Sequence, residues 1–466
     1  MGFKSLLASL LLVSATFAQL SGRVGPTSSL SSKQSTICNV LDYGGSIGSA
    51  DIGPPISSAF TNCVLKHSGS TLYVPAGNYN MQTWVTLNGG TKWAFRLDGL
   101  ITRTSTTGGN MIAIENANDF EFYSANSAGG IQGYGYQCRN AGPRLIRMVT
   151  STNWSLHDLI LVDCMFTPRY PRAARGAFTP ETSDEHCTAP EFHLVIQQGS
   201  NGEVYNLAIR GANLGGSDGV DVWGSNYWIH DVEVTNRDEC VTVKSPSNNI
   251  LVERIWCNQS GGSAIGSLSD GTAIQDVVYR DIYTNGGNQA FMIKSNMGSG
   301  YVRNVLFQNF IARGTAYGLN VNQYWSSQSP GSGAGVQLSN ITFQNWDGNV
   351  ANGVQRPPIQ FICADGAPCF DMTLSNVNMW SQTNEAVVKC ESAYGTGLSC
   401  LRSGSSHTSY AVVTQSATRP AGYTTPTTMP GDLTDGFATN APIPTPTIPT
   451  SFFPGLPQIS PLAKNL

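Results

Sequence analysis

The chain has 466 residues, with Lys+Arg 26 against Asp+Glu 30, a net charge of −4 and only 12% charged residues. That near-balance argues against nucleic acid or an anionic membrane as a partner held by bulk electrostatics. It still allows an anionic polymer bound by a local basic site, and the length far exceeds what one small core needs.

Residues 1–18 have the layout of a secretory signal: Lys4, then the apolar run Leu6–Val13, then Thr16-Phe17-Ala18 before Gln19. No later run approaches the roughly 20 apolar residues of a membrane span. A soluble, secreted, extracellular and monomeric protein is expected. Residues 19–37 are expected to form an entry arm, and residues from about 52 to 67 a short helix capping one end of the fold. Sequons begin at Asn153, Asn258 and Asn340, which suits glycosylation on the export route. Export also favours disulfides. Spacing among the eleven cysteines suggests Cys38–Cys63, Cys240–Cys257, Cys363–Cys369 and Cys390–Cys400, leaving Cys138, Cys164 and Cys187 over. Sequence alone does not fix that connectivity. No Cys-x-x-Cys pair or clustered Cys/His spacing supports a metal, so neither metal nor cofactor is expected.

One short pattern recurs: an apolar residue, a polar pair ending in Asn or Asp, then alternating apolar residues. It occurs at Leu156-His-Asp-Leu, Val204-Tyr-Asn-Leu, Ile229-His-Asp-Val, Ile274-Gln-Asp-Val, Val302-Arg-Asn-Val, Leu338-Ser-Asn-Ile and Leu374-Ser-Asn-Val. The polar anchors are therefore 158, 206, 231, 276, 304, 340 and 376, and the long step from 231 to 276 holds a further instance near Val252-Glu-Arg-Ile. Period-2 strands with a repeat in the twenties indicate a solenoid. The fold expected is all-β, a right-handed parallel β-helix, with inward Val, Ile, Leu and Phe stacked into one core and Asn side chains laddered at the turns. A β-sandwich would repeat at closer spacing. His157 and His230 occupy the polar turn position of the pattern and are expected to be hydrogen-bonded turn residues.

The step from 158 to 206 is too long for one coil. It contains residues 164–187, basic and Pro-rich, without the strand pattern. That segment is expected to be an insertion in a coil, either a disulfide-tied loop or intron sequence carried in by a gene-model artefact. The β-helix domain is thus expected over 19–400. Residues 401–466, rich in Ser, Thr and Pro, are expected to form an extended or disordered tail.

Two motifs carry the chemistry. Gly215-Gly216-Ser217-Asp218-Gly219-Val220-Asp221 and Asn236-Arg237-Asp238-Glu239-Cys240 lie about one coil apart. Carboxylates on neighbouring rungs supply what glycosidic hydrolysis requires, a neutral acid for the leaving oxygen and an ionised base for water.

With Gly261-Gly262-Ser263 and Met292-Ile293-Lys294, the ordered series resembles the polygalacturonase-type glycoside hydrolases over roughly residues 36–400. Members read NTD, DD, GHG and RIK at the four places. Here Gly261 stands for the His, Met292 for the Arg and Glu239 for the second Asp. These departures, with DVWGSN, HDVEVTN, ECVTVKSP and SHTSY, resemble the fungal rhamnogalacturonan hydrolase branch. The resemblance implies a pectic polysaccharide substrate, the rhamnogalacturonan I backbone, cut with inversion. It assigns Asp238 as general acid, kept protonated by burial and like-charge neighbours. Asp218 and Glu239 would hold the water, about 6.5–9.5 Å from the acid, with Asp221 a further candidate. Because adjacent strand residues face opposite ways, Asp238 and Glu239 require a bend to face one site. Lys294 matches the family's substrate-binding lysine. Lys244 and Arg237 are secondary candidates, and Tyr324 and Trp325 are candidate stacking platforms. A polygalacturonase or xylogalacturonan hydrolase is the nearest alternative, and a pectin-type lyase and a non-catalytic glycan-binding β-helix are the more distant ones.

Overall fold

The computed structural model describes residues 20–137, 142–164, 192–351, 356–382 and 385–462. The signal segment 1–18, Cys138, Cys187 and nearly all of the 164–187 segment lie outside the described residues.

Twenty-five strands lie among the described residues. Each pairs with the strand one coil earlier and one coil later, and the pairings are parallel. The exception is the antiparallel pairing of Glu385–Glu391 with Val413–Thr418. Strand upon parallel strand at each turn of the chain is the right-handed parallel β-helix. Inward residues stack by type: Phe291, Phe307 and Phe343 form one aromatic column, and Phe310 lies on Trp346 at 4.0 Å. A helix, Gly53–Asn62, caps the first coil, and Cys63 just beyond it is bonded to Cys38. Disulfides also join Cys240 to Cys257, Cys363 to Cys369 and Cys390 to Cys400.

The Asn pattern resolves into two ladders rather than one. Asp158, Asn206, Asp231, Arg254, Asp281, Asn309, Asn345 and Asn376 all have positive φ and fill one left-handed position on successive coils. Asn153, Asn201, Asn226, Asn249, Asp276, Asn304, Asn340 and Asp371 fill a second, five residues earlier in each coil. Asn tolerates this conformation and its amide can bond the rung below. Asn206 donates to Asp158, Asn309 to Asp281 and Asn345 to Asn309. The anchors 276, 304 and 340 therefore belong to a different corner from 158, 206, 231 and 376, and the long step from 231 to 276 spans two coils, with Arg254 on the rung between.

His157 and His230 are strand residues, not turn residues as expected. They stack with Tyr205 on an outer face, the rings 4.4 and 5.3 Å from it. His157 sits between Glu121 and Asp158, and His230 between Glu203 and Asp231.

Both chain ends strap this face. From the N-terminal arm, Ser21 N–H donates to Asn226, and Ser28 and Lys33 reach Asp119. The segment after residue 400 is extended and packed along the body. It passes Asp432 on Trp256 and Tyr283, reaches Ile443 beside Gln132, and returns to place Ile459 N–H on Asp231 and Leu462 N–H on Glu203. Asn258 is only 1% exposed, and its Oδ1 accepts from Leu433 N–H of this tail. A glycan on Asn258 would have to displace the tail, so that sequon does not fit the folded chain. Asn153 is half-buried within its ladder, while Asn340 is exposed.

Candidate active site

The site forms where two strands begin. Val220 pairs with Val241 and Asp221 with Thr242, so Asp218 and Glu239, each two residues before the paired valines, occupy equivalent places on adjacent coils. The rung above Asp218 is thus Glu239, not Asp238. Residues 236–240 belong to no strand: one ends at Thr235 and the next starts at Val241. The chain bends there, with Glu239 N–H donating to Asp238 Oδ1 at 3.0 Å. This bend removes the alternation that would have separated Asp238 from Glu239. Asn236, fully buried, staples the two motifs through Nδ2 to the carbonyls of Ser217 at 2.7 Å and Glu239 at 3.0 Å.

Asp218, Asp238 and Glu239 each present an oxygen, and these oxygens lie within 4.8 Å of one another. That is closer than the spacing of about 6.5–9.5 Å expected for an acid and base with water between them. It does suit a water bridging two of the carboxylates, because two O–H···O bonds of about 2.7–2.8 Å span at most roughly 5.5 Å. Asp238 also accepts Gly216 N–H, and it is half-buried where Asp218 and Glu239 are buried. It is therefore the most accessible carboxylate of the three.

Two lysines pair with the cluster. Lys294 bonds Glu239, and Lys244 lies 3.3 Å from Asp221 and 4.0 Å from Asp218, with the Phe192 ring 5.8 Å away. Both ammonium groups lie against carboxylates of the cluster. Burial first, and then repulsion from Asp238 and Asp221, push Asp218 well above the ordinary carboxylate range. Burial likewise raises Asp221, with Lys244 opposing it. Burial alone would lower Lys244, but Asp221 and Asp218 outweigh it and hold the ammonium charged. Asp218 thus has proton-favouring surroundings.

Asp221 is 0% exposed, in the strand under the cleft. Its carboxylate lies against the Lys244 ammonium. Tyr324 is 37% exposed and lies just past Asn322, which pairs with Lys294; its hydroxyl accepts Asp365 N–H. Arg237 is half-buried beside Asp238, its N–H on Ser217 Oγ. Among the described residues, Asp218, Asp238 and Glu239 are also the one group close enough to share a cation, although Lys294 already neutralises one of them.

Three supporting residues carry no periodic signal. His193 Nδ1 meets the Asp218 carbonyl at 2.9 Å, and Asn236 is the staple already described. Gly261 donates its N–H to the Asp238 carbonyl at 2.6 Å, and a Cβ on it would stand 2.6 Å from the Asp238 carbonyl carbon. Glycine is required there by close approach of two backbones, a reason independent of any missing histidine.

The model of glycosyl hydrolases family 28 matches residues 185–400. The rhamnogalacturonase A of Aspergillus niger is 52% identical over 453 residues, covering 96% of this chain and 95% of that protein. The rhamnogalacturonase A of Aspergillus aculeatus is 51% identical, covering 96% of each. Among solved structures, the endo-xylogalacturonan hydrolase of Aspergillus tubingensis superposes with a TM-score of 0.61 at 19% identity, over 76% of this chain and 95% of that one. The polygalacturonase of Erwinia carotovora gives 0.56 at 18% identity, over 78% and 98%. Those two likenesses establish the fold.

Proposed function

The chain belongs to glycosyl hydrolases family 28, and from that premise we propose that it hydrolyses galacturonic acid–rhamnose linkages within the rhamnogalacturonan backbone of pectin. It is an enzyme whose chemistry rests on one observation, three carboxylate oxygens within 4.8 Å where two coils meet. The names of its relatives support the substrate, as do Gly261 and Met292 in place of the residues of plain polygalacturonases.

In this reading the cluster of four acids and two lysines retains a proton. Asp238, the accessible member, delivers it to the glycosidic oxygen. Glu239, held ionised by Lys294, draws a proton from the water it shares with Asp218. Attack on the face opposite the leaving group inverts the anomeric carbon. Lys244 and Lys294 are poised to exchange a carboxylate partner for a galacturonate as substrate enters, and Tyr324 offers a sugar-stacking face. Secretion, a monomeric state and a glycan at the exposed Asn340 complete the proposal.

Digestion of rhamnogalacturonan beside polygalacturonate tests the substrate: oligomers are expected from the first and little from the second. Proton NMR during the first minutes should show the inverted anomer, and no unsaturated product should absorb in the ultraviolet. Appearance of that absorbance would replace hydrolysis by β-elimination. D238N should lose roughly 10²–10⁴-fold in kcat, which a non-catalytic glycan binder could not display.

A further inference from the structure

A cavity of about 580 Å³ lies between the returning tail and the corner turns of several coils, outside the carboxylate cluster. It falls within the usual range for small-ligand sites, about 300–1,000 Å³. Gln259, on its wall, is the neighbour of Ser260, whose Oγ donates to the Asp238 carbonyl. The cavity and the catalytic acid therefore lie on opposite sides of a single turn.

Its lining combines two guanidiniums, side-chain amides and threonine hydroxyls with one acid, Asp432. That acid is already committed: Oδ1 accepts Trp256 Nε1–H, and Oδ2 accepts the Tyr283 hydroxyl and Met429 N–H. Arg313 donates Nη1–H to Pro426 O and leaves its buried Nε without a partner. Arg419 lies 6.0 Å over the Tyr423 ring. Neither arginine pairs with a carboxylate among the described residues. Gln382, Thr425 and Thr428 at the rim are exposed, so the cavity opens to solvent. Guanidiniums without a carboxylate partner bind carboxylates through paired N–H donors, and the threonine hydroxyls at the rim suit sugar hydroxyls.

We propose that this cavity is a non-catalytic binding site for a uronate-containing oligosaccharide, holding the anionic polymer one turn away from the cleft. The choice of a uronate rests on the proposed function; the preference for an acidic sugar rests on the two arginines.

The test uses the full secreted chain and R419Q, because Arg419 makes no hydrogen bond among the described residues. Calorimetric titration with an α-1,4-linked oligogalacturonate should show affinity falling about tenfold or more in R419Q, since bonds to charged groups are worth enough to give that change. A neutral galactan oligomer should show no difference between the two proteins. Turnover of a short rhamnogalacturonan oligomer should be unchanged, while KM on the long polymer rises. Equal oligogalacturonate affinity in wild type, R419Q and R313Q/R419Q would overturn the proposal. A wild type that cleaves no rhamnogalacturonan, yet binds uronate through Arg419, would sink the substrate reading and leave the cavity standing.

Discussion

Burial and its acidic neighbours push Asp218 well above the ordinary carboxylate range, and this has a measurable consequence for stability. Its folded value is raised above the unfolded one. Its stabilising contribution is therefore fully present below about pH 3.9 and is lost as pH rises through the folded value. D218N, neutral throughout, should melt above wild type at pH 7, with the gap closing towards pH 4. Asp51, Asp119 and Asp158 are lowered by their hydrogen bonds despite burial, and they lose stability as pH falls. They are common to both proteins and cancel in the difference. A gap that stays constant with pH would mean that Asp218 is ionised in the fold. Gly261 supplies a geometric test: G261A must push the Asp238 backbone aside. A shift of about 1 Å at such a group costs roughly 10²-fold, so kcat should fall by that order while the far-ultraviolet spectrum stays unchanged. The acids could be read from two short motifs because their chemistry requires carboxylates. A motif does not report depth, so the full burial of Asp221 shows only in the fold, and strand alternation does not report the bend at 236–240 that brings Asp238 and Glu239 together. Gly261 shows its close approach only in three dimensions.

At the scale of the coil, the repeat was readable because each turn reuses a left-handed position that Asn and Asp tolerate. It was readable only in part, because two such positions per coil carry the same residue types. One rung is filled by Arg254, whose φ is 52 although its side chain is neither Asn nor Asp, and a pattern written in amides skips it. The outer histidines add a titrating element to these coils. Burial alone would depress His230, but Asp231 and Glu203 outweigh it and raise it. An imidazolium raised in this way contributes stability that is full below about pH 6.5 and is lost as pH climbs through its folded value. Removing one partner of a buried pair leaves uncompensated charge, which costs roughly 3–5 kcal/mol. H230Q should therefore unfold at lower denaturant concentration at pH 5 and approach wild type as pH rises above neutrality. An equal loss at both pH values would assign His230 to packing alone.

Across the whole molecule, the ends of the chain finish what the coils leave open. A β-helix leaves its outer faces for other segments to cover. Here Trp228, Leu251 and Val278 from three successive coils lie under Val24 of the N-terminal arm, with Leu20, Ile459 and Leu462 packed against them. Trp256 and Tyr283 lie under Met429 and Phe453 of the tail. Composition rich in Ser, Thr and Pro left both an extended and a disordered tail open, and Pro favours the extended conformation that a long strap needs. Among its apolar residues, Met429, Ile443, Phe452 and Phe453 are buried. Burying each contributes about 1.5–3 kcal/mol, offset in part by the entropy of ordering the strap. Ile459 and Leu462 also donate backbone N–H groups to Asp231 and Glu203, so the strap and the His230 network support each other. Ending the chain after Thr418 keeps the last antiparallel strand but uncovers the aromatic face and frees both carboxylates. The truncated protein should melt several degrees lower, at roughly 2–4 °C per kcal/mol for chains of 150–250 residues and less for a longer one. It should also aggregate on concentration, because the exposed patch is apolar, and turn over a short oligomer at the wild-type rate while folded. Unchanged melting and solubility would show that the coils are sufficient and that the strap serves the cavity it encloses.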